Sequence, residues 1–358
     1  MLNAPLFLKS QAVVELSQPA AILQTLCKHF EEHGEVAYDD RQGSLQTPYG
    51  NARLEAGETT LTLYAEGRDE TYLSYIKWSL AEHLVDFAKE DAPVIEWSGE
   101  HHVGQLLPFF REMTVVSSRE VTPMMRRLTL KGQNLARFAT GGLHVRLLLP
   151  LKGVAPEWPV MGMDGRPQWP QADRRPIARI YTIRSIDPKK GMVDIDMVLH
   201  EGSAPGSDFA RFAQPGDIVG MLGPSGSHVP EADWYLFAGD ETALPAIARE
   251  LERLPASAHA VVRIEVADRG EEQALPSAAS LDLQYLHRNG CCAGKSSLLK
   301  DAVLAVECPK DGCRVFAWSG TEHQTFKALR KFMRADMALP REQHWATGYW
   351  RLNAAGDH

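Results

Sequence analysis

No stretch of the 358-residue chain approaches the about 18 consecutive apolar residues of a membrane-spanning helix, so none is expected. The opening MLNAPLFLKSQAVVELSQ has neither a basic leader nor a long apolar core, and no secretory signal is expected there. Cysteine is scarce. Five residues, an odd number, do not suggest a disulfide framework and read as reduced thiols of a cytoplasmic protein. A basic excess is also missing: the formal charge is −8, and residues 1–100 alone carry 7 Lys+Arg against 17 Asp+Glu. That acidic first third argues against a nucleic-acid partner and hints at a boundary near residue 100. Two phosphate-binding signatures are absent. There is no G-x-G-x-x-G, and NGCCAGKSSLL (289–299) has three residues, not four, between Gly290 and Gly294-Lys295-Ser296. The stretch reads instead as a βα connection with Ser296 capping the following helix. Adjacent Cys291 and Cys292 lack the C-x-x-C spacing of a redox site, and nothing in the sequence brings Cys308 and Cys313 to them. No internal repeat or low-complexity tract is present.

The chain is long enough for two or three domains. AAILQTLCKHFEEH (20–33) places Ile22, Leu23, Leu26, Cys27 and Phe30 on one helical face. NARLEAGETTLTLYAEG reads as strands, TYLSYIKWSLAEHLVDFAKED as a second helix, and PVIEWSG as a short strand. Residues 1–100 are therefore expected to form an acidic α+β domain. From 112 to 230 short strands broken by Gly and Pro predict a β-barrel, interrupted by a Pro- and Trp-rich loop at 151–176. From 231 to 358 strands alternate with helices, from WYLFAG and TALPAIARELERL to RVFAWSG and HWATGYWRL, which predicts a parallel sheet.

Three constellations carry chemistry. In Arg179-Ile-Tyr-Thr-Ile-Arg184, strand alternation sends Arg179 and Tyr181 to one face and Thr182 and Arg184 to the other. An aromatic beside a guanidinium suits a flat electron-accepting ring and a phosphate, and equally a half-buried barrel strand. In His200-Glu-Gly-Ser-Ala-Pro-Gly-Ser207, a small-residue loop enters a helix with Ser207 as its expected N-cap. This is a pyrophosphate site or an ordinary capped turn. Gly239-Asp-Glu-Thr-Ala-Leu-Pro-Ala246 ends the first strand of the α/β region, where open parallel sheets bind ligands, with Thr242 able to cap the helix.

These motifs, together with QPGDIVGMLGPSG and the terminal GYWR, resemble the siderophore-interacting protein family over roughly residues 112–352. Residues 1–98 resemble a separate small domain of uncharacterised function. The resemblance implies a ferredoxin-reductase-like pair, an antiparallel FAD-binding barrel and an NAD(P)H-binding α/β domain. It implies an NADPH- or NADH-dependent reductase of ferric siderophores in the cytoplasm, in which FAD carries the hydride and electron transfer and the iron stays in its own chelator. Arg179, Tyr181, Thr182 and Arg184 would meet FAD, and His200, Gly202, Gly206 and Ser207 its pyrophosphate. Gly239, Asp240, Glu241, Thr242 and Ala243 would meet the nicotinamide nucleotide, with Trp318 and Glu322 beside them. Where the family has W-x-A-G-E this chain has Trp318-Ser-Gly-Thr-Glu322, and its terminal motif ends in Asn353 rather than Gly. Arg146 and Arg351 are candidates for holding an anionic chelate, or are solvated surface charges. Asp268 would favour a free ribose hydroxyl and Arg269 a 2′-phosphate.

Rival readings are a binding protein that captures the chelate without reducing it, and a general flavin or ferredoxin-type reductase. No protein metal ligand is required. A zinc site from Cys27, His29, His33 and His83 competes with surface and capping roles, since only His29 and His33 share a helix face at i, i+4.

Overall fold

The computed structural model describes residues 7–99, 102–200, 202, 204–309 and 312–353. It divides into two compact units, residues 1–110 with 153–176, and residues 111–152 with 177–358.

The first unit begins with β1 (Leu8–Glu15), α1 (Pro19–Phe30), β2 (Glu35–Tyr38), β3 (Gln42–Thr47), β4 (Gly50–Ala56), β5 (Thr60–Gly67), α2 (Glu70–Phe87) and β6 (Ser98–Gly99). The strands form one sheet in the order β2-β3-β4-β5-β1-β6. Strict alternation in β5 buries Leu61, Leu63 and Ala65 against the apolar stripes of α1 and α2. The Asp69 carboxylate caps α2 by accepting from the Tyr72 amide at 3.0 Å. Cys27 packs into this core, and burial together with Glu31 pushes its thiol up to about 11. The rings of His29, His33 and His83 gather elsewhere, with His29 4.3 Å from His83 and 5.1 Å from His33 between centroids. Among the described residues no group of three or more His, Cys, Asp or Glu is placed to hold a metal ion. The four-residue zinc site is thus corrected, because its thiol serves the core.

The second unit opens with β7 (Phe110–Thr122), β8 (Met125–Lys131), α3 (Ala136–Thr140) and β9 (His144–Leu149). The chain then enters residues 153–176, read from sequence as a loop. They form a small antiparallel hairpin, β10 (Val160–Met161) and β11 (Pro167–Gln168), that belongs to the first unit. It is fastened there by the Trp97 indole donating to the Asp164 carbonyl at 2.8 Å, a long-range contact without periodicity to announce it. β12 (Ile177–Asp187), β13 (Met192–Val198), α4 (Pro205–Phe212) and β14 (Ile218–Ser225) complete a closed antiparallel barrel, β12-β13-β8-β7-β14-β9.

The α/β part follows: β15 (Trp234–Asp240), α5 (Leu244–Leu251), β16 (His259–Val266), β17 (Ser280–His287), α6 (Leu298–Leu304), β18 (Val315–Glu322), α7 (His323–Lys331) and β19 (His344–Trp350). All five strands are parallel, in the order β17-β16-β15-β18-β19. β15 and β18 are buried at every position, as a strand covered on both faces must be. The order reverses between β15 and β18, and a ligand crevice is expected outside their carboxyl ends. No helix is long and apolar enough to cross a membrane among the described residues.

Candidate active site

The barrel and the parallel sheet are joined through α5, whose residues are all buried. Arg249 donates to the Ile183 carbonyl of β12 at 3.1 Å. Glu250 accepts from His228 Nδ1 at 2.5 Å and from the Val229 amide, and Glu252 pairs with Arg184 at 2.7 Å. A second clasp lies at Glu271, which takes the Thr122 hydroxyl at 2.5 Å and the Met124 amide at 2.9 Å. Buried carboxylates need such donors, and here the donors come from the barrel.

On the barrel side, Tyr181 and Ile183 share the face that packs into the barrel core. Tyr181 reaches the first turn of α4, where a Cβ on Gly206 would overlap its hydroxyl, so only glycine fits. Burial raises the phenol's pKa, opposed by the nearby Arg179. Arg179 itself is half-buried and donates to the Ala178 carbonyl at 2.7 Å. The expected Ser207 cap is corrected. α4 starts at Pro205 with Ala204 at the N-cap and no side-chain cap, because the Ser207 hydroxyl turns back to accept from the His200 amide at 3.0 Å. Gly202 has φ +82° with open space at its Cβ position; Glu201 and Ser203 of the same motif lie outside the described residues. Thr182 and Arg184 point the other way, toward the parallel sheet. Arg184 keeps its buried Nε without a partner.

At the crevice, the Asp240 carboxylate accepts from the Thr242 amide and hydroxyl at 2.9 and 2.5 Å and from the Trp350 indole at 2.8 Å. Thr242 therefore does not cap α5; Ala243 holds that position, with no side-chain bond. Burial lifts the Asp240 carboxyl to about 6 despite those donors. Gly239 and Gly320 lie side by side on β15 and β18 with Ala243 close over both. A Cβ on Gly320 would come within 3.0 Å of Trp318 and of the Tyr349 ring. The shifted Gly320-Thr321 pair thus keeps glycine where Tyr349 crosses the strand. Glu322 caps α7 through the Gln324 amide and accepts from the Leu352 amide at 3.2 Å, so it fastens the tail. Arg351, on that tail, lies 3.3 Å from His323 Nε2. Glu241 is held by Arg288 at 2.5 Å, and Arg288 also approaches Glu265 at 3.5 Å.

The two halves meet at His144 and Tyr349. His144 is the register partner of Thr182 on the outer barrel face, and its Nε2 shares a 2.7 Å hydrogen bond with the Tyr349 hydroxyl. Burial drives His144 down to about 4 with Arg249 adding to the effect, and it drives the Tyr349 phenol up. The pair is neutral at physiological pH. His200 reaches the same region: burial lowers its pKa while Glu241 raises it. Arg146 does not join this cluster. It stands on the barrel exterior between Ile180 and Leu222.

Sequence reasoning missed His144, Tyr349, Trp350 and Arg288. GYWR was visible as a motif, but His144 and Arg288 carry no local signal. The stretch at 289–299 lies closer to the crevice than its spacing suggested, since Gly294 packs on Trp350 and Glu322. The cap expected at Ser296 is corrected: Ser297 holds the N-cap of α6 with no side-chain cap, Ser296 one residue earlier accepts from the Leu298 amide at 3.1 Å, and Glu265 accepts from the Leu299 amide.

The Arg179 guanidinium and the uncapped start of α4 suit a diphosphate, and the open space lies at Gly202 rather than at Gly206, where the Tyr181 hydroxyl fills it. A family model described as siderophore-interacting FAD-binding domain matches residues 114–228, and one described as siderophore-interacting protein matches 232–353. Residues 11–98 match an uncharacterised domain conserved in bacteria. The ferric vibriobactin reductase ViuB of Vibrio cholerae is 29% identical over 247 residues, 67% of this chain and 89% of that protein. The NADPH-dependent ferric-chelate reductase of Escherichia coli is 28% identical over 249 residues, 67% and 92%. The crystal structure of a siderophore utilization protein from T. fusca is 36% identical, with a TM-score of 0.59 over 70% of this chain and 95% of that one.

Proposed function

The chain belongs to the siderophore-interacting protein family, and from that premise we propose that it reduces the Fe(III) of a ferric siderophore to Fe(II) in the cytoplasm, releasing the iron. It is a flavoprotein oxidoreductase of the NAD(P)H-dependent ferric-chelate reductase class, with FAD and a nicotinamide nucleotide as cofactors. The observation that carries the reading is the junction at His144 and Tyr349, 2.7 Å apart. It joins β9, the neighbour of β12 through the His144–Thr182 register, to the tail strand β19 beside β18, which supports a flavin and a nicotinamide nucleotide meeting there.

When bound, FAD would supply the redox chemistry of hydride acceptance and single-electron donation. The chain supplies position. Arg179 and the amides at Gly206 and Ser207 hold the diphosphate, while Tyr181 and Thr182 orient the ring. His200 lines the diphosphate side with Gly202. Gly239 to Ala243, Trp318 and Glu322 shape the nucleotide crevice, where Asp240 and Glu322 fix the tail residues that close it. The neutral His144–Tyr349 pair adds no charge to compete with the electron carriers. Arg184 contributes to the domain joint through Glu252.

The iron chelate is the substrate. Arg146, half-exposed and without an ion pair among the described residues, and Arg351 in the tail would attract an anionic chelate. NADPH is the preferred donor: Asp268 spends an oxygen on the Gly270 amide at 2.7 Å, while Arg269 is exposed and available to a 2′-phosphate. The purified protein should be yellow and should oxidise NADPH faster on addition of a ferric siderophore. A colourless protein that FAD cannot reconstitute sinks the reading. Arg146→Ala and Arg351→Ala should raise KM for an anionic chelate, and unchanged KM would return both to plain surface charge.

A further inference from the structure

The first unit holds a groove of about 700 Å³, well inside the roughly 300–1,000 Å³ range of small-molecule sites. Its walls are Trp78 and Glu82 of α2, the segment 93–96, and the β10–β11 hairpin with Trp169 just beyond it. The lining is partly apolar and open to solvent: Val94 is 71% exposed and Met163 54%. The walls are preformed. The Trp97–Asp164 bond fixes the hairpin, Gly165 packs against Trp97, and Trp78 is backed by Phe109 in a parallel stack, 6.0 Å between centroids.

The charges select a sign. Arg166 is the single cation of the lining, and it is already matched by Asp164 at 2.7 Å. With Glu82, 3.9 Å from the same guanidinium, and Glu96, three carboxylates face two cations, Arg166 and the Arg175 that lies over Trp169, within a domain that is itself strongly acidic. One of the two indoles already accepts a cation, since the Arg175 guanidinium lies 4.8 Å from the Trp169 centroid.

We propose that this groove binds an organic cation, a protonated amine carried on an apolar body, with the body against Trp78 and Trp169 and the charge toward Glu82 and Glu96. An anionic chelate is repelled by the same carboxylates, so the site serves a different ligand from the one Arg146 would attract. It requires no flavin and stands or falls apart from the reductase reading.

Isothermal titration of the full-length holoprotein at low salt with 4-phenylbutylamine, 4-phenylbutanol and 4-phenylbutyrate tests it. The amine should bind about tenfold more tightly than the alcohol, and the carboxylate least, as expected from a cation–π contact plus exposed carboxylates. The double variant Glu82→Gln/Glu96→Gln should abolish that order while leaving NADPH oxidation unchanged, and Trp169→Ala should weaken all three ligands. Equal affinity of amine and alcohol, no heat with millimolar amine, or a preference surviving in the double glutamine variant would overturn the assignment. So would a dimer in sedimentation velocity that Trp169→Ala dissociates and the amine does not.

Discussion

In Gly206→Ala the added Cβ would overlap the Tyr181 hydroxyl yet stand 3.3 Å from its Cζ and 3.7 Å from Met197 Cε. The conflict is therefore with a single oxygen atom. The ring cannot simply retreat, because it packs on the barrel core, so the first turn of α4 must move instead. Overpacking of this kind costs about 1–3 kcal/mol. Urea unfolding of the apoprotein should show that loss. FAD titration should show affinity reduced roughly five- to a hundredfold, since about 1.4 kcal/mol is a factor of ten. The decisive arm is the double variant. Tyr181→Phe removes the conflicting oxygen and leaves a contact needing only a few tenths of an ångström of adjustment. In that background Gly206→Ala should cost less than about 0.5 kcal/mol, a coupling that a double-mutant cycle measures directly. An equal penalty in both backgrounds would refute the contact, and an unperturbed Gly206→Ala would refute the close approach.

Three further outcomes are expected. Burial holds His144 at about 4 against 6.5 when free, so the unfolded chain takes up a proton in that window that the native state refuses. Its stabilising contribution is present above pH 6.5 and lost toward pH 4, about 3 kcal/mol in all. Asp240, raised from 3.8 to about 6, works in the opposite sense and gains as pH falls. His144→Gln should therefore show a stability deficit that shrinks between pH 7 and 4; a constant deficit contradicts the assignment. Arg288→Met leaves Glu241 and Glu265 uncompensated in a buried site and should cost about 3–5 kcal/mol in urea unfolding; a loss below about 1 kcal/mol would mean the carboxylates find other partners. Glu271→Leu removes both acceptors and leaves the Thr122 hydroxyl and the Met124 amide without their partner. It should cost about 1–3 kcal/mol, and an unchanged melting temperature argues against the clasp.

Local pattern carried much of this molecule. The apolar face of α1, the alternation in β5 and the continuous apolar runs of β15 and β18 each report a burial geometry that periodicity encodes. The proposed ligand motifs rest on features of the same kind: glycine at 206 and 239 and the Arg179–Tyr181 spacing are local demands of backbone and strand. What escaped depends on residues far apart in sequence. His144 becomes part of the site only because β9 registers against β12 and the tail returns with Tyr349. Arg288 matters only because three parallel strands end side by side. The caps expected at Ser207 and Thr242 failed because each hydroxyl found a better local partner, the His200 amide and the Asp240 carboxylate, and composition does not rank those choices.

The hairpin at 160–168 has a consequence for dissection of the chain. Because 153–176 belongs with 1–110, the polypeptide passes between the units three times, near 110, 152 and 176. A single protease cut near residue 110 would sever one strand of a three-strand tether and release nothing. Removing residues 1–110 outright would strip the hairpin of the bridge between Leu106 and Val160 and of its anchor at Trp97. A reductase excised for separate study therefore needs two deletions, one at the N-terminus and one that rejoins β9 to β12 by a short turn.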